Sequence, residues 1–185
     1  SNSGGDSYTG KIGSGIGALA AKYESSGNAG TVANSSGDIG GQSFGKYQLA
    51  RNTGSYKSFI NKLSDYGHED WEKQLKSAYN STSQSAAVWK KIYKENPKEF
   101  EKVQDQYFAD QYFRPAAGKI KSAIGLDVGK RSTAVQAVLL STAVQHGTAG
   151  AVNVWKNALG SKANDIGLIL RLSMQFIKSV RLIMV

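Results

Sequence analysis

The sequence predicts a mainly α domain with a small β-hairpin or irregular insertion after its first helix. Three observations carry that prediction. Apolar residues recur at i, i+3, i+4 and i+7 through most of the chain, the spacing that lines one face of a helix. Residues 27–48 break this pattern and are rich in Gly, Ser and Asn, which tolerate positive φ and build tight turns. The chain of 185 residues is 40% hydrophobic and 20% charged, a composition that suits one globular domain of ordinary size.

Each element has its own signal. Ile16, Leu19, Ala20 and Tyr23 mark a first helix that runs into Glu24. Tyr56, Phe59, Ile60 and Leu63 mark a second, Trp71, Leu75 and Ala78 a third, and Ala86, Trp89, Ile92 and Tyr93 a fourth. Pro97 suits the first turn of a fifth helix carrying Phe100, Val103 and Tyr107. A short helix is expected after Pro115, and the strongest pattern runs from 131 to 146 through Val135, Val138, Leu139, Thr142 and His146. Val152, Trp155 and Leu159 continue it until Gly160, and a last amphipathic stretch opens at Asp165. Short strands are expected at Thr31–Ala33 and Phe44–Gln48.

Twelve of the 21 glycines fall in the first fifty residues. Residues 1–13 read as a flexible lead-in or linker, which implies a module of a larger protein, with the domain proper over 14–185. No run is apolar and long enough to span a bilayer. The absence of cysteine excludes disulfides, thiolate metal sites and a cysteine nucleophile. With two histidines, His68 and His146, and neither an HExxH sequence nor a calcium loop, no metal or other cofactor is expected. Net charge is +9, and all the excess lies beyond residue 50. Such a surface suits anionic polymers, but Lys and Arg occur singly or in pairs, as in Lys90-Lys91 and Lys130-Arg131, which argues against nucleic acid.

Glu24 is the single carboxylate between Asp6 and Asp38 and closes an apolar helix. The negative end of the helix dipole and partial burial both favour its protonated form, as a general acid requires. The competing reading is an exposed Glu that merely ends the helix. Asp38, in Gly-Asp-Ile-Gly-Gly-Gln-Ser, either supplies a second carboxylate or orders its own turn. Phe44, Tyr47 and Gln48 then offer two aromatic rings and an amide, groups that bind sugars by stacking and hydrogen bonding.

The run Tyr-Glu-Ser-Ser-Gly-Asn-Ala-Gly-Thr-Val, followed by Gly-Asp-Ile-Gly-Gly-Gln-Ser-Phe-Gly-Lys-Tyr-Gln-Leu, resembles the peptidoglycan-cleaving domains of the lysozyme-like superfamily. These are the muramidase or lytic-transglycosylase-like modules of phage tail, endolysin and bacterial cell-wall hydrolase proteins. Tyr112-Phe113-Arg114-Pro115, Gly125-Leu126-Asp127-Val128-Gly129-Lys130-Arg131-Ser132 and Ser141-Thr142-Ala143-Val144-Gln145-His146-Gly147 extend the likeness over roughly residues 14–165.

The resemblance implies a lysozyme-like helical fold and cleavage of peptidoglycan glycan strands outside the cell or at the cell wall. Glu24 would be the general acid and Asp38 the second carboxylate, with hydrolysis favoured over lytic transglycosylation and a non-catalytic wall-binding module as the other alternative. Ser43, Tyr47 and Gln48 would line the glycan groove. Gln145 and His146 would reach it from the long helix, although His146 falls on the apolar stripe and reads first as a histidine satisfied in the core or supporting the groove from behind. His68 reads as surface. The apolar end, Gly167 to Leu172 and Arg181 to Val185, departs from this family's pattern.

Overall fold

The computed structural model describes residues 7–24, 28–34 and 41–160, together with Arg171. Within them seven helices and three short strands follow one another, so the mainly α architecture with a small β insertion is what the chain adopts. Two compact units divide the chain. One combines Ser1–Glu24 with Phe108–Val185, and the other is Ser25–Tyr107.

The Ser25–Tyr107 unit holds the sheet. Strands β1 (Val32–Asn34), β2 (Gln42–Phe44) and β3 (Leu49–Ala50) are antiparallel in that order, with Ala33 opposite Ser43 and Ser43 opposite Ala50. The expected strand at Phe44–Gln48 is corrected, because only Phe44 belongs to it and residues 45–48 form the β2–β3 turn. Gly45, at φ 73°, takes the left-handed conformation that a strand excludes.

Helices α2 (Ser55–Ile60), α3 (Glu69–Ala78), α4 (Thr82–Glu95) and α5 (Pro97–Phe108) complete this unit. Helix α2 stops at Ile60, and Leu63 lies in a separate 3₁₀ turn, Leu63–Tyr66. Ser81 caps α4 by accepting from the Gln84 amide at 3.2 Å, while Pro97 opens α5. The core is aromatic. Trp89 is fully buried, with ring centres at 4.6 Å from Phe100, 5.3 Å from Phe44, 5.6 Å from Phe59 and 6.0 Å from Tyr56.

The other unit is built around α7 (Thr133–Leu159), against which α1 (Ile16–Glu24), α6 (Arg114–Ile124) and a π turn, Ala109–Phe113, pack. Every residue from Val135 to Ala143 is buried, so this stretch faces protein on all sides rather than along one stripe. Ser132 caps the helix, accepting from the Val135 amide at 3.3 Å. Gly147, at φ 72° and ψ 171°, interrupts α7 in a conformation open essentially to glycine alone. The two patterns at 131–146 and 152–159 are thus two helical segments joined at a break.

Residues 8–13, which read from composition as lead-in, are hydrogen-bonded to this unit. The Tyr8 amide donates to the Arg114 carbonyl at 3.0 Å, and the Gly13 amide donates to Gln136 Oε1 at 2.8 Å. The amphipathic stretch expected from Asp165 and the apolar C-terminal run lie outside the described residues.

Candidate functional site

The β2–β3 turn, residues 45–48, is buried except at Gln48. Its backbone is fixed first by Gly45, whose amide donates to the Thr31 carbonyl at 2.8 Å. A Cβ at Gly45 would lie 2.4 Å from Gln104 Oε1 and 3.1 Å from a Trp89 ring carbon, so glycine is what lets the turn settle on the core. Gln104 and Trp89 in turn both donate to the Ala29 carbonyl, at 3.0 and 2.9 Å.

Two side chains then anchor the turn from below. Lys46 is buried, with Nζ 2.7 Å from Asp105 Oδ1 and 3.0 Å from Glu101 Oε1. Tyr47 is also buried and donates its hydroxyl to the same Asp105 oxygen at 2.6 Å. Glu101 and Asp105 stand one helical turn apart on α5, which places both carboxylates on one face. A buried ammonium needs such partners, because its desolvation would otherwise dominate.

Gln48 completes the turn, and its side chain is exposed. It has φ 54°, the one positive-φ residue other than glycine among those described. That conformation is uncommon for a side chain bearing a Cβ and persists where the surroundings enforce it. The result is an amide, both donor and acceptor, held out from a rigid base.

A second polar cluster is built on Gln42 of β2. Gln42 Oε1 accepts from Arg51 Nε at 3.2 Å and Nη2 at 3.1 Å, while Gln42 Nε2 donates to the Thr82 carbonyl at 2.9 Å. Arg51 also donates to Ser85 Oγ at 2.6 Å and to the Tyr79 carbonyl, and its guanidinium lies 5.0 Å from the Tyr79 ring centre. Burial pushes the Tyr56 phenol up to about 12, with Ser85 and then Arg51 offsetting part of that effect.

The sequence-derived candidates divide as follows. Ser43, Tyr47 and Gln48 lie together on β2 and its turn, Ser43 half-buried and Tyr47 turned into the core. Glu24 is the last residue of α1. Asp38 lies outside the described residues. Gln145 and His146 are adjacent and exposed immediately before the break at Gly147, so the core reading of His146 is corrected: the apolar stripe ends with the helix segment that carries it. His68 is partly covered rather than free on the surface, stacked on Trp71 at 3.6 Å with Nε2 3.1 Å from Glu99 Oε1.

The sequence reading passed over Lys46, Glu101, Asp105, Gln42 and Arg51. Local spacing had no means of pairing Lys46 with residues more than fifty positions away, although the i, i+4 carboxylates on α5 were visible. Among the described residues, no group of three His, Cys, Asp or Glu side chains could hold a metal ion. No described helix is long and apolar enough to cross a membrane.

These features define a mainly α module in which a three-stranded sheet carries one rigidly mounted turn. The chain belongs to the family of type VI secretion system spike protein VgrG3-like C-terminal domains, whose model matches residues 16–175. It is 31% identical over 149 residues to the type VI secretion system spike protein VgrG3 of Vibrio cholerae serotype O1. The matched stretch is 80% of this chain and 14% of that protein, so the chain spans a small part of its relative's length. The family is itself the C-terminal part of a larger spike protein, in agreement with the reading as a module.

This membership overturns the resemblance to lysozyme-like muramidases and the functions drawn from it. Muramidase, endolysin, lytic transglycosylase and wall-binding readings fall together, and peptidoglycan as a partner loses its support. The physical reason lies in the residues that carried the likeness. An acid at a helix end, a Gly-rich turn and an amide are generic pieces. The aromatic pair that suggested sugar stacking is committed elsewhere: Phe44 is fully buried and stacked on Tyr56 at 3.8 Å, and Tyr47 is held by Asp105.

Proposed function

We propose that this chain is the effector end of a type VI secretion spike, exported with the spike and active outside the cell that makes it. The observation that carries the reading is the family match over residues 16–175. Within that reading the domain is an enzyme whose acid–base group is Glu24, with Asp38 as a second carboxylate. In the Ser25–Tyr107 unit the target-binding residues are Ser43 and Gln48, with Tyr47 holding the turn in place; in the other unit Gln145 and His146 of α7 are the separate candidates. What supports the sheet's part is the geometry of its turn: a strained, exposed Gln48 on a buried Lys46–Asp105–Tyr47 base is costly to maintain without a use.

The test compares three versions of the parent spike in producing cells: with the native domain, with Glu24→Gln, and with the domain deleted. Spike in the culture medium and survival of co-cultured target cells are measured together. All three versions should be exported, and the native version alone should reduce survival. Glu24→Gln should lower the domain's activity by about 10²-fold or more, the scale of a lost acid–base group. Undiminished killing by Glu24→Gln would remove Glu24 from the mechanism. Undiminished killing without the domain, or loss of export on its deletion, would overturn the effector reading.

A further inference from the structure

Residues 8–13 have the composition of a linker and the contacts of a docked peptide. Their receptor lies within the unit of Ser1–Glu24 and Phe108–Val185, on α6, α7 and a 3₁₀ turn, Val128–Lys130. Arg114, the first residue of α6, grips this strap with both backbone and side chain. Its carbonyl accepts from the Tyr8 amide, and its Nη1 donates to the Tyr8 and Gly10 carbonyls at 3.0 and 2.9 Å. Asp110 Oδ1 accepts from Arg114 Nε at 3.1 Å and aims the guanidinium. The Tyr8 ring meets Phe113 edge-on at 6.4 Å and lies over Gly129, where a Cβ would come within 2.0 Å of it.

Gln136 of α7 closes the other end. It is buried, accepts from the Gly13 amide at 2.8 Å, and donates to the Gly129 and Arg131 carbonyls at 3.1 and 3.0 Å. One side chain thus ties the strap to the 3₁₀ turn and to α7. Lifting the strap would leave its buried Oε1 without that partner, a cost that favours the docked state. Beyond Gly13 the chain passes through Ser14 and Gly15, at φ 80°, before α1 begins at Ile16. Two glycines in three residues make that stretch a natural hinge.

The family is the C-terminal part of a larger spike protein, so the chain ahead of Tyr8 leads toward the rest of that protein. We infer that residues 8–13 are a clasped joint, the surface by which the domain grips the segment that carries it, rather than a free tether. A pull or twist from upstream is taken up on α6 and on the buried half of α7, and the hinge at 13–15 keeps it from α1. The clasp also guards the connection. Lys11 is exposed among glycines, in sequence an ideal site for a trypsin-like protease. Cleavage needs the backbone to open locally, and docking holds it closed.

Trypsin digestion of the 185-residue chain, followed by mass spectrometry, reads the clasp at the bond after Lys11, with a synthetic peptide of residues 7–15 as the unclasped reference. The chain should be cut there at least about tenfold more slowly than the peptide, the scale of one hydrogen bond to a charged group. Tyr8→Ala removes the ring, and Gly129→Ala puts a methyl where the ring lies; each should speed that cut about tenfold. The double variant should be no faster than Tyr8→Ala alone, because the atoms nearest the added methyl belong to Tyr8. Cleavage after Lys121 and Lys156, in α6 and α7, should not change. A native chain cut as fast as the peptide, single variants without effect, additive effects in the double variant, or equal acceleration at Lys121 and Lys156 would each overturn the joint.

Discussion

The two compact units solve the packing problem with different chemistry. In Ser25–Tyr107 the core is made of large rings: Phe44, Tyr56, Phe59, Trp89 and Phe100 are all essentially buried, and Arg51, Gln42 and Ser85 thread polar groups among them. In the unit of Ser1–Glu24 and Phe108–Val185 the centre is α7, whose buried stretch from Val135 to Ala143 is mostly Val, Leu and Ala. Rings with hydrogen-bonding edges specify direction as well as contact, and a short, irregular sheet with few ladder bonds needs that specification. A helix already satisfies its own backbone and can be packed with smooth aliphatic side chains. The consequence for function is that the aromatic unit can hold a strained turn such as Lys46-Tyr47-Gln48 in place, whereas in the helical unit the break in α7 falls on a glycine, which adopts its conformation without strain.

The contrast is broken most severely at Trp89. Its ring touches four other rings and its Nε1–H satisfies the Ala29 carbonyl, so Trp89→Ala removes both packing and polar closure. We expect a loss of about 3–5 kcal/mol in denaturant unfolding, the range of large aromatic truncations in a core. A loss below about 1 kcal/mol would mean that the rings are not the organising element. Gly147→Ala probes the helical unit in the same way. Nothing crowds the added methyl there, so the whole cost is conformational: φ 72° with ψ 171° is closed to alanine. A destabilisation of about 1–3 kcal/mol is expected. A neutral result would show that the break in α7 relaxes freely into helix, and that Gln145 and His146 are not held where they stand.

Why the sequence yielded the helices so readily, and the site only in part, follows from what local spacing records. Trp71, Leu75 and Ala78, or Phe100, Val103 and Tyr107, place a helix because neighbours on one face are three or four positions apart. The turn at Gly45 to Gln48 read as a strand because its apolar and aromatic content suits one. The deciding facts were a positive φ and a Trp89–Gln104 wall supplied from α4 and α5. The same distance in sequence hid Lys46 with Glu101 and Asp105, and Arg51 with Ser85. The resemblance put Tyr47 in a groove, whereas it is buried against Asp105, and the apolar stripe put His146 in the core, whereas it is exposed. Family membership was less legible still, because short motifs built from Glu, Gly and Gln are shared by unrelated surfaces.

The smallest expected effect asks the sharpest question about the two units. Ser81 caps α4 in one and Ser132 caps α7 in the other, each hydroxyl accepting a backbone amide, at 3.2 and 3.3 Å. Ser81→Ala and Ser132→Ala should each cost about 1 kcal/mol, the usual value of such a cap. The informative quantity is where that cost is registered. If the units unfold as one cooperative body, both substitutions should shift the same transition, whether followed by tryptophan fluorescence or by far-ultraviolet circular dichroism. Trp71 and Trp89 report on one unit and Trp155 on the other, so Trp155→Phe leaves fluorescence that reads the aromatic unit alone. In that background, a Ser132→Ala shift seen by circular dichroism but absent from fluorescence would show that the units melt independently. The difference in their cores would then be a difference between two separately stable bodies.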